Sequence, residues 1–523
     1  MEEQIFIYDT TLRDGTQGEK IGFSAEEKLR IAQRLAELGI HYIEGGWPGS
    51  NPKDMRFFHM AKDLRLDGTR LTAFGSTRKP DIAPGDDPNL KALLQAETQT
   101  INIFGKSWDL HVTDILGVSL EENLAMINDS IAYIKSKGKE VIFDAEHYFD
   151  GYMANHDYSL KTIEAALSGG ADIIVLCDTN GGSMVGNIQR IVAEATEAFP
   201  GILFGIHAHN DGGLAVANTI AAVESGATMV QGTINGYGER CGNADLTSVI
   251  PNLQLKMGKK CLEEPNLALL TEVSRYVSDV ANIPPLDERP FVGHSAFAHK
   301  GGVHVSAIVK KPPAYEHIEP GLVGNKRRVL VSDLSGKSNI EYKANEMGIT
   351  LGGNGYNSKE ILAEIKRMED VGYQFDAAEG SLELLMKKTT GQFTEPFSLL
   401  SLTVLNEKSK GGQTSSQATI KISVGTDEEI TAAEGNGPVN AIDNALRKAL
   451  SKFYPSVSEM TLVDFKVRVL EGSAGTAAKV RVLIESRDGR DIWNTVGVSE
   501  NIIEASWQAL VDSIYYKLSK DLA

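Results

Sequence analysis

Ile202-Leu203-Phe204-Gly205-Ile206 is an apolar run that leads directly into His207-Ala208-His209-Asn210-Asp211. In a β-strand, side chains two residues apart point to the same face of the sheet. His207 and His209 would therefore place two imidazole rings side by side where a strand gives way to a loop. The pair is either an exposed loop feature or part of a divalent-metal site, and a carboxylate brought in from elsewhere in the chain would favour the metal.

The same change from an apolar run to a polar loop recurs along the first half of the chain. The runs are 5–8, 42–46, 71–75, 100–104, 141–145, 173–177, 203–207 and 229–234. Segments with helical periodicity separate them, and Ser24-Ala25-Glu26-Glu27 is a capping box that opens one such helix. Eight strand–helix units in about 250 residues predict an α/β fold, a closed (β/α)8 TIM barrel. A doubly wound open sheet is the alternative, but no Gly-x-Gly-x-x-Gly fingerprint follows an early strand.

The chain of 523 residues is too long for a single hydrophobic core. We predict three parts: the barrel over 1–260, a mostly helical subdomain over 261–396, and an α+β domain over 397–523. In the last part, similar segments precede two helices, which predicts two β–α–β-like repeats. The polar segment 408–416 reads as an exposed loop within that domain.

Composition and charge exclude several classes of protein. With 52 Lys and Arg against 70 Asp and Glu, the net charge of −18 argues against general nucleic-acid binding. The three cysteines are scattered and form neither a disulfide framework nor a zinc ribbon, which suits a reducing compartment. No signal peptide is recognisable, and no apolar run approaches the roughly 20 residues that span a bilayer. We therefore expect a soluble, cytoplasmic protein.

In a barrel of this type the active site lies at the carboxyl ends of the strands. The charged or metal-competent residues there include Arg13, Asp14, Glu44, Glu146, Thr179, His207, His209 and Asn243. Packing does not require so many polar groups at one end of a barrel, so their gathering favours a functional site.

Asp14, His207 and His209 form the predicted metal site, with Asn243 as a candidate fourth member. One carboxylate and two imidazoles leave positions open for a bidentate substrate such as a 2-oxo acid. Arg13 could donate to the ketone oxygen as it gains charge, or form a salt bridge to Glu44 at the barrel rim. Both can hold, because a fixed Arg is the better donor.

Other residues leave two interpretations open. Thr179 could bind a substrate carboxylate or form a capping turn, and Glu146 follows strand five, where the reacting carbon would lie. His299 and His304 are on a glycine-rich segment outside the eight units. A histidine that reaches a second substrate is reasonably carried by a separate mobile element, whereas a core or helix-capping histidine is the alternative.

Three segments resemble one enzyme family. Residues 9–17 (DTTLRDGTQ) and 207–218 (HAHNDGGLAVAN) resemble two signatures of the 2-isopropylmalate, homocitrate and citramalate synthases, and 293–304 (GHSAFAHKGGVH) is similar to their third conserved segment. The resemblance covers nearly the whole chain, with the segments in the right order. It implies an acyltransferase that condenses acetyl-CoA with a 2-oxo acid in a Claisen reaction and then hydrolyses the thioester.

The resemblance also implies roles for individual residues. The metal, Mg2+ or Mn2+ with Zn2+ as the alternative, would be bound by Asp14, His207 and His209, with Asn243 near it. Arg13, held by Glu44, would polarise the ketone, and the oxo-acid site would be lined by Glu146 and Thr179. His304 would be the base or its water-orienting partner, with Tyr315 close by. It further implies a homodimer, because relatives carry the 293–304 segment into a neighbouring subunit to complete the site. The last domain is similar to their amino-acid-binding regulatory domain, which implies inhibition by a branched-chain amino acid, with isoleucine the first to test.

The oxo acid is implied by shorter segments. Residues 18–23 and 44–50 are similar to the citramalate branch of the family, which implies pyruvate as substrate. The alternatives are 2-oxoisovalerate, as in the 2-isopropylmalate synthases, and an acyl-CoA lyase on the same barrel. Ile142 stands where homocitrate-type relatives have an Arg, so a dicarboxylic oxo acid is disfavoured. Ser306 stands where many relatives have Asp, so His304 needs another group to orient it.

Overall fold

The computed structural model describes residues 4–66, 68–352, 358–408, 412, 414–470 and 472–521. The chain forms two compact units. The first covers the chain up to Phe297 together with Ile318–Lys326, and the second covers Ala298–His317 and the chain from Arg327 onward. The domain boundaries at 260 and 396 stay predictions.

The first unit is built around a closed barrel of eight parallel strands in sequential order, with the last strand beside the first. The strands are β1 (Phe6–Asp9), β2 (Tyr42–Gly46), β3 (Arg70–Ser76), β4 (Thr100–Lys106), β5 (Glu140–Glu146), β6 (Ile173–Asp178), β7 (Leu203–Ala208) and β8 (Met229–Gly232). Each coincides with one of the eight apolar runs, so the predicted (β/α)8 fold is confirmed.

Helices follow the strands and cover the outside of the barrel. They are α1 (Ala25–Leu38), α2 (Pro52–Ala61), α3 (Pro88–Gln95), α4 (Leu120–Lys135), α5 (Tyr148–Ala154), α6 (His156–Gly169), α7 (Val185–Ala198), α8 (Ala215–Glu224), α9 (Leu246–Pro251), α10 (Glu264–Leu267) and α11 (Leu270–Ala281). The predicted capping box is present at the start of α1, where Ser24 and Glu27 bond each other's backbone N–H. Gly39 ends α1 with a φ of 92°, a conformation that glycine adopts at little cost.

The barrel interior is apolar at one end and polar at the other. Towards the amino ends of the strands, Tyr42, Ile173 and Met229 fill it. Towards the carboxyl ends, the buried side chains include Glu44, Asn102, Asp144, His207 and Gln231. Burying polar groups is costly unless they are paired, so these side chains must form a hydrogen-bonded set.

A buried lysine ties α1 to the end of β2 and to α2. Lys28 is 1% exposed, and its Nζ donates to Asp54 Oδ1 at 2.6 Å and to the Gly45 carbonyl at 2.9 Å. Asp54 in turn accepts from the backbone N–H of Trp47 at 3.0 Å. The lysine therefore fixes the turn that immediately follows Glu44.

We expect Lys28→Met to lower the free energy of unfolding by about 3–5 kcal/mol, because it leaves the Asp54 carboxylate buried without its cation. Denaturant unfolding followed by circular dichroism measures the loss. Arg30→Met is the matched control, since the Arg30 side chain on the same helix is 60% exposed. Equal stability of the two variants would show that the buried pair contributes nothing.

The second unit begins with a short parallel pair, β9 (Ala298–His299) and β10 (Arg328–Val329). Its first helices are α12 (Gly302–Lys310), α13 (Lys337–Glu346), α14 (Ser358–Asp370) and α15 (Glu379–Thr389). The last three pack around a small core that includes Ile340, Ile361 and Leu382. The helical character predicted for this part of the chain is confirmed.

Two sheets, each with a helix, complete the second unit. The first contains β11 (Ser398–Lys408), β12 (Thr414–Val424) and β13 (Asp427–Gly435), followed by α16 (Pro438–Leu450); the second contains β14 (Thr461–Val469), β15 (Val480–Arg487) and β16 (Ile492–Ser499), followed by α17 (Ile502–Asp521). Both sheets are antiparallel and three-stranded, with their strands in sequential order. One buried core joins the two sheets and both helices.

The internal repeat exists, but its predicted β–α–β order is wrong. Each repeat is β–β–β–α, because β13 and β16 are additional strands. The strand β13 opens with Asp427-Glu428-Glu429 and fully buries none of its residues, so it lacks the apolar run that marks the other strands. The predicted loop 408–416 is also too long, since β11 includes residue 408 and residues 414–416 belong to β12; residues 409–411 and 413 lie outside the described residues.

Matching glycines explain the sequence similarity between the repeats. Gly435 ends β13, and a Cβ there would lie 2.3 Å from the backbone nitrogen of Ala441. Gly497 lies in β16, and a Cβ there would lie 2.0 Å from the Ala505 carbonyl. In both repeats a glycine lets the third strand pass close to the following helix.

None of the helices in the described segments combines the length and the apolar character that crossing a membrane requires.

Candidate active site

Asp14, His207 and His209 meet at the carboxyl end of the barrel. Asp14 Oδ2 lies 3.5 Å from His207 Nε2 and 3.8 Å from His209 Nε2, and the two imidazole nitrogens are 3.4 Å apart. All three side chains are buried. Within the described residues, no other group of three or more His, Cys, Asp or Glu side chains is close enough to share a metal ion.

Neighbouring side chains orient the three residues. Asn243 Nδ2 donates to Asp14 Oδ1 at 3.0 Å, and Gln231 Oε1 lies 2.8 Å from His207 Nδ1. The Asn243 Oδ1 atom is buried and has no hydrogen-bond partner among the described residues. A converging carboxylate, two imidazole nitrogens and an unsatisfied amide oxygen beside them fit a divalent cation.

Burial and mutual contact set the protonation of this cluster. Burial would raise the pKa of Asp14, but the Arg13 charge and the neighbouring His207 hold it well below its usual value. Burial, with a smaller effect of His207, lowers the pKa of His209 to about 4. At neutral pH Asp14 is therefore ionised and His209 is neutral, the states in which both can bind a metal.

Arg13 is fixed beside this cluster on three sides. It forms an ion pair with Glu44, approaches Asp14 Oδ2 at 3.3 Å, and stacks over the Phe74 ring at 3.8 Å. Glu44 is held in turn by hydroxyl donors, Thr10 at 2.8 Å and Tyr8 at 2.5 Å. Both interpretations of Arg13 therefore fit the geometry: it is salt-bridged at the rim, and the salt bridge aims it into the site.

A cavity of about 180 Å³ opens between Arg13 and the histidines. Its lining residues are Arg13, Asp14, Gln17, Trp47, Phe74, Phe104, Asp144, Glu146, Cys177, Thr179, His207, His209 and Glu239. Three aromatic rings form one side of it, with Phe74 and Phe104 stacked and Trp47 edge-on to both. The cavity thus joins a charged polar end to an apolar wall, as a short 2-oxo acid requires.

Glu146 and Thr179 both line this cavity, as predicted from their strand ends. Glu146 forms an ion pair with Lys106, a residue that the sequence analysis missed. Thr179 Oγ1 accepts from the His147 backbone N–H at 2.9 Å, a contact between the ends of β6 and β5 rather than a cap of its own turn, and its hydroxyl proton stays available for a ligand. Lys106 ends β4, and its place at a strand end was the signal that could have identified it.

His304 and Tyr315 lie together in the second unit. Their rings stack with centroids 4.1 Å apart and an interplanar angle of 25°, and both are exposed. Ser306 supplies no carboxylate, and the Tyr315 ring is the group that stacks on His304 in the described contacts. The roles of both residues stay predictions.

His299 has a structural explanation. Its Nε2 lies 3.2 Å from Glu316, whose carboxylate also accepts from Arg327. The core alternative for His299 therefore fits better than a catalytic one.

Three family models match consecutive parts of the chain. They are the HMGL-like model over residues 4–277, the homocitrate synthase post-HMGL domain-like model over 291–373, and the LeuA allosteric (dimerisation) domain over 376–518. The chain is 54% identical over 522 residues to the (R)-citramalate synthase of Aquifex aeolicus, which covers 100% of this chain and 99% of that relative. The chain belongs to the citramalate synthase family.

Two further relatives place the chain within this family. It is 56% identical over 515 residues to the (R)-citramalate synthase of Geobacter sulfurreducens, covering 98% of this chain and 97% of the relative. It is 31% identical over 518 residues to a probable 2-isopropylmalate synthase of Methanopyrus kandleri, covering 98% of each. The resemblance carried by the three sequence segments is confirmed. The citramalate synthase family is metal-dependent, which agrees with the cluster of Asp14, His207 and His209.

Proposed function

We propose that the chain condenses acetyl-CoA with pyruvate and hydrolyses the thioester to give citramalate and CoA. One observation carries the proposal: a metal-competent cluster and a fixed Arg13 face each other across a cavity of only about 180 Å³. The full-length similarity to (R)-citramalate synthases supports it. By analogy with the relatives' names, the product is the R form.

The residues around the cavity act on pyruvate in distinct ways. A divalent metal held by Asp14, His207 and His209, with Asn243 beside it, would supply Lewis-acid polarisation of the oxo acid. Arg13, fixed by Glu44, donates to the ketone oxygen and stabilises the charge that develops there.

Two other residues position the substrate. Thr179 donates its free hydroxyl proton to the pyruvate carboxylate. Glu146, anchored by Lys106, lines the side on which the new carbon–carbon bond forms.

His304 and Tyr315 act on acetyl-CoA. His304 takes a proton from the acetyl methyl group, and the methyl carbon then attacks the ketone carbon of pyruvate. The π bond of the ketone breaks, and its oxygen takes up a proton to become the hydroxyl group of the product. Stacking on Tyr315 holds the imidazole in place. Water then adds to the thioester carbonyl, the carbon–sulfur bond breaks, and CoA leaves as the thiol.

The metal we propose is Mg2+ or Mn2+, with Zn2+ as the alternative. A single carboxylate with two imidazoles and no thiolate suits the harder cations, because Cys177 keeps its proton: burial raises the pKa of its thiol well above the usual value.

The cavity favours the smaller oxo acid. Its apolar wall of Trp47, Phe74 and Phe104 is closed by ring-to-ring contacts, and Trp47 is anchored by a 2.6 Å hydrogen bond to Asn89. We infer that the methyl of pyruvate faces this wall, where a larger isopropyl group would crowd the rings. Such size discrimination is worth about 1–3 kcal/mol, or 10- to 200-fold in kcat/KM.

We expect acetyl-CoA and pyruvate to release CoA thiol, detected with a thiol reagent, only when Mg2+ or Mn2+ is present. The value of kcat/KM for pyruvate should exceed that for 2-oxoisovalerate by at least about tenfold. The chelator-treated protein is the control, and readdition of metal should restore the rate. A larger kcat/KM for 2-oxoisovalerate would contradict the assignment of pyruvate.

We further propose a homodimer regulated by a branched-chain amino acid, supported by the match of residues 376–518 to an allosteric dimerisation domain.

Isoleucine is expected to lower the initial rate of CoA release from the full-length protein more than leucine or valine does at equal concentration. The full chain is the right material, because Ser381 on α15 donates to Asp512 and Tyr373 donates to Gln508, so the last domain shares contacts with the segment before it. An unchanged rate at saturating isoleucine would rule out this effector.

A further inference from the structure

A hydrogen-bonded chain of buried side chains runs through the barrel interior from His207 to Glu44. It passes through Gln231, Asp144 and Asn102, and these are 0%, 4% and 0% exposed. His207 and Gln231 are paired residues of β7 and β8, so both side chains point into the barrel at the same level.

The hydrogen bonds follow one another without a gap. Gln231 Oε1 lies 2.8 Å from His207 Nδ1, and Gln231 Nε2 donates to Asp144 Oδ1 at 3.0 Å. Asn102 Nδ2 donates to the other oxygen of Asp144 at 3.0 Å and lies 3.1 Å from the Tyr8 hydroxyl. Tyr8 donates to Glu44, the partner of Arg13.

The Asp144 carboxylate determines which amide groups donate and which accept in this series of hydrogen bonds. A carboxylate only accepts, so both neighbouring amides must turn their NH2 groups towards it. Burial and the nearby Glu44 charge raise the pKa of Asp144 to about 6, which is still below neutral pH, so the carboxylate is ionised at pH 7. With its NH2 group committed to Asp144, Gln231 can present only its carbonyl oxygen to His207.

We propose that Gln231 is a positioning residue: oriented by Asp144, it holds His207 in the tautomer with the proton on Nδ1 and so keeps Nε2 free to bind the metal. The inference rests on the metal site of the proposed function. It assigns a role to Gln231, an uncharged residue that does not line the cavity and that bonds neither Asp14 nor His209 in the described contacts.

Two consequences follow for a barrel without this glutamine. The Nδ1 proton would have no buried acceptor, and the other tautomer would turn an N–H towards Asp14 and His209. The imidazole would also lose the contact that fixes its ring plane. Loss of an outer partner of a metal-ligating histidine lowers metal affinity by about 10- to 100-fold.

The first test is Gln231→Met, which keeps the side-chain length and removes the amide. We expect the affinity for Mn2+, read from the free-ion signal in electron paramagnetic resonance, to fall by about 10- to 100-fold. At saturating Mn2+ the variant should regain most of its kcat, which a general loss of structure would not allow. Thr72→Val is the matched control, because the Thr72 side chain is also buried in the barrel and its hydroxyl has no partner among the described residues.

The second test reverses the chemistry of the pair. In the double variant Gln231→Glu with Asp144→Asn, the new Asn donates to the new Glu, which still accepts from His207 Nδ1. The double variant should bind Mn2+ more tightly than the sum of the single effects of Gln231→Glu and Asp144→Asn predicts. Additive effects, or an unchanged affinity in Gln231→Met, would overturn the inference.

His207→Ala distinguishes the two levels of the hypothesis. If His207→Ala binds Mn2+ as the unmodified protein does, the metal assignment itself fails. If it loses Mn2+ while Gln231→Met does not, only the role of Gln231 fails. Should Gln231→Met not fold, the double variant and its two single variants decide the question by their coupling.

Discussion

Replacing His207 with alanine is expected to lower kcat/KM for CoA release by more than about 100-fold, the upper end of what losing an outer partner of a metal ligand costs. His207 Nε2 lies within 3.5 Å of both Asp14 Oδ2 and His209 Nε2, so its removal takes one corner from the only metal-competent cluster in the described residues. A carboxylate and a single imidazole would remain, which is a poor site for a divalent ion.

The loss should be visible without any turnover. Metal at about 100 times its Kd stabilises the unmodified protein by about 2.7 kcal/mol, and this increase should vanish in His207→Ala. Thermal unfolding with Mn2+ and with chelator measures the difference. His156→Ala is the control, because the His156 side chain is 51% exposed on α6 and contacts only Asp157 and the Tyr152 ring among the contacts described. Metal-dependent turnover retained by His207→Ala would exclude this cluster as the metal site.

The second large effect is expected from Arg13→Lys. The guanidinium group contacts Glu44, Asp14 and the face of Phe74 while still presenting N–H groups to the cavity. A lysine ammonium is a point charge and cannot make these contacts together. We expect kcat to fall by about 10²- to 10³-fold with little change in KM, because the lost interaction is with the charge that develops on the ketone oxygen.

Steady-state rates at saturating metal test this prediction. Arg78→Lys is a matched control: Arg78 is also largely buried and paired with two carboxylates, Glu122 and Asp129, but it does not line the cavity. That variant should lose stability and keep its kcat. An Arg13→Lys enzyme with a normal kcat and a raised KM would mean that Arg13 binds pyruvate without assisting its reaction.

The sequence predicted the barrel well because parallel strands buried on both faces leave continuous apolar runs. The carboxyl ends of those runs then identified Asp14, His207 and Glu146 as neighbours in space. The polar interior was not predicted, since Asn102 and Gln231 interrupt apolar runs in a way that resembles a solvent-facing residue. Only the closed barrel shows that both side chains point inward and meet Asp144.

In the second unit, the sequence pattern predicted less of the structure. β13 has no apolar run because acidic residues stand on both of its faces, Glu428 on one and Glu429 on the other, so the pattern revealed a repeat but not its third strand. Likewise, the sequence showed that position 306 carries a serine and no carboxylate. The stacking of Tyr315 on His304 was not predictable, because it requires the chain to fold back towards His304 after the nine residues of α12.

His207 and Gln231 stand at paired positions of β7 and β8. Trp47 and Thr179, which line the cavity, lie in the loops that follow β2 and β6. A one-residue slip in a strand would turn every side chain to the other face, so an insertion in β8 would remove Gln231 from the interior. Insertions and substitutions in the loops leave that register intact. Substitutions in the loops that carry Trp47 and Thr179 could therefore change what meets the substrate and leave the strand pairing that places Gln231 beside His207 undisturbed.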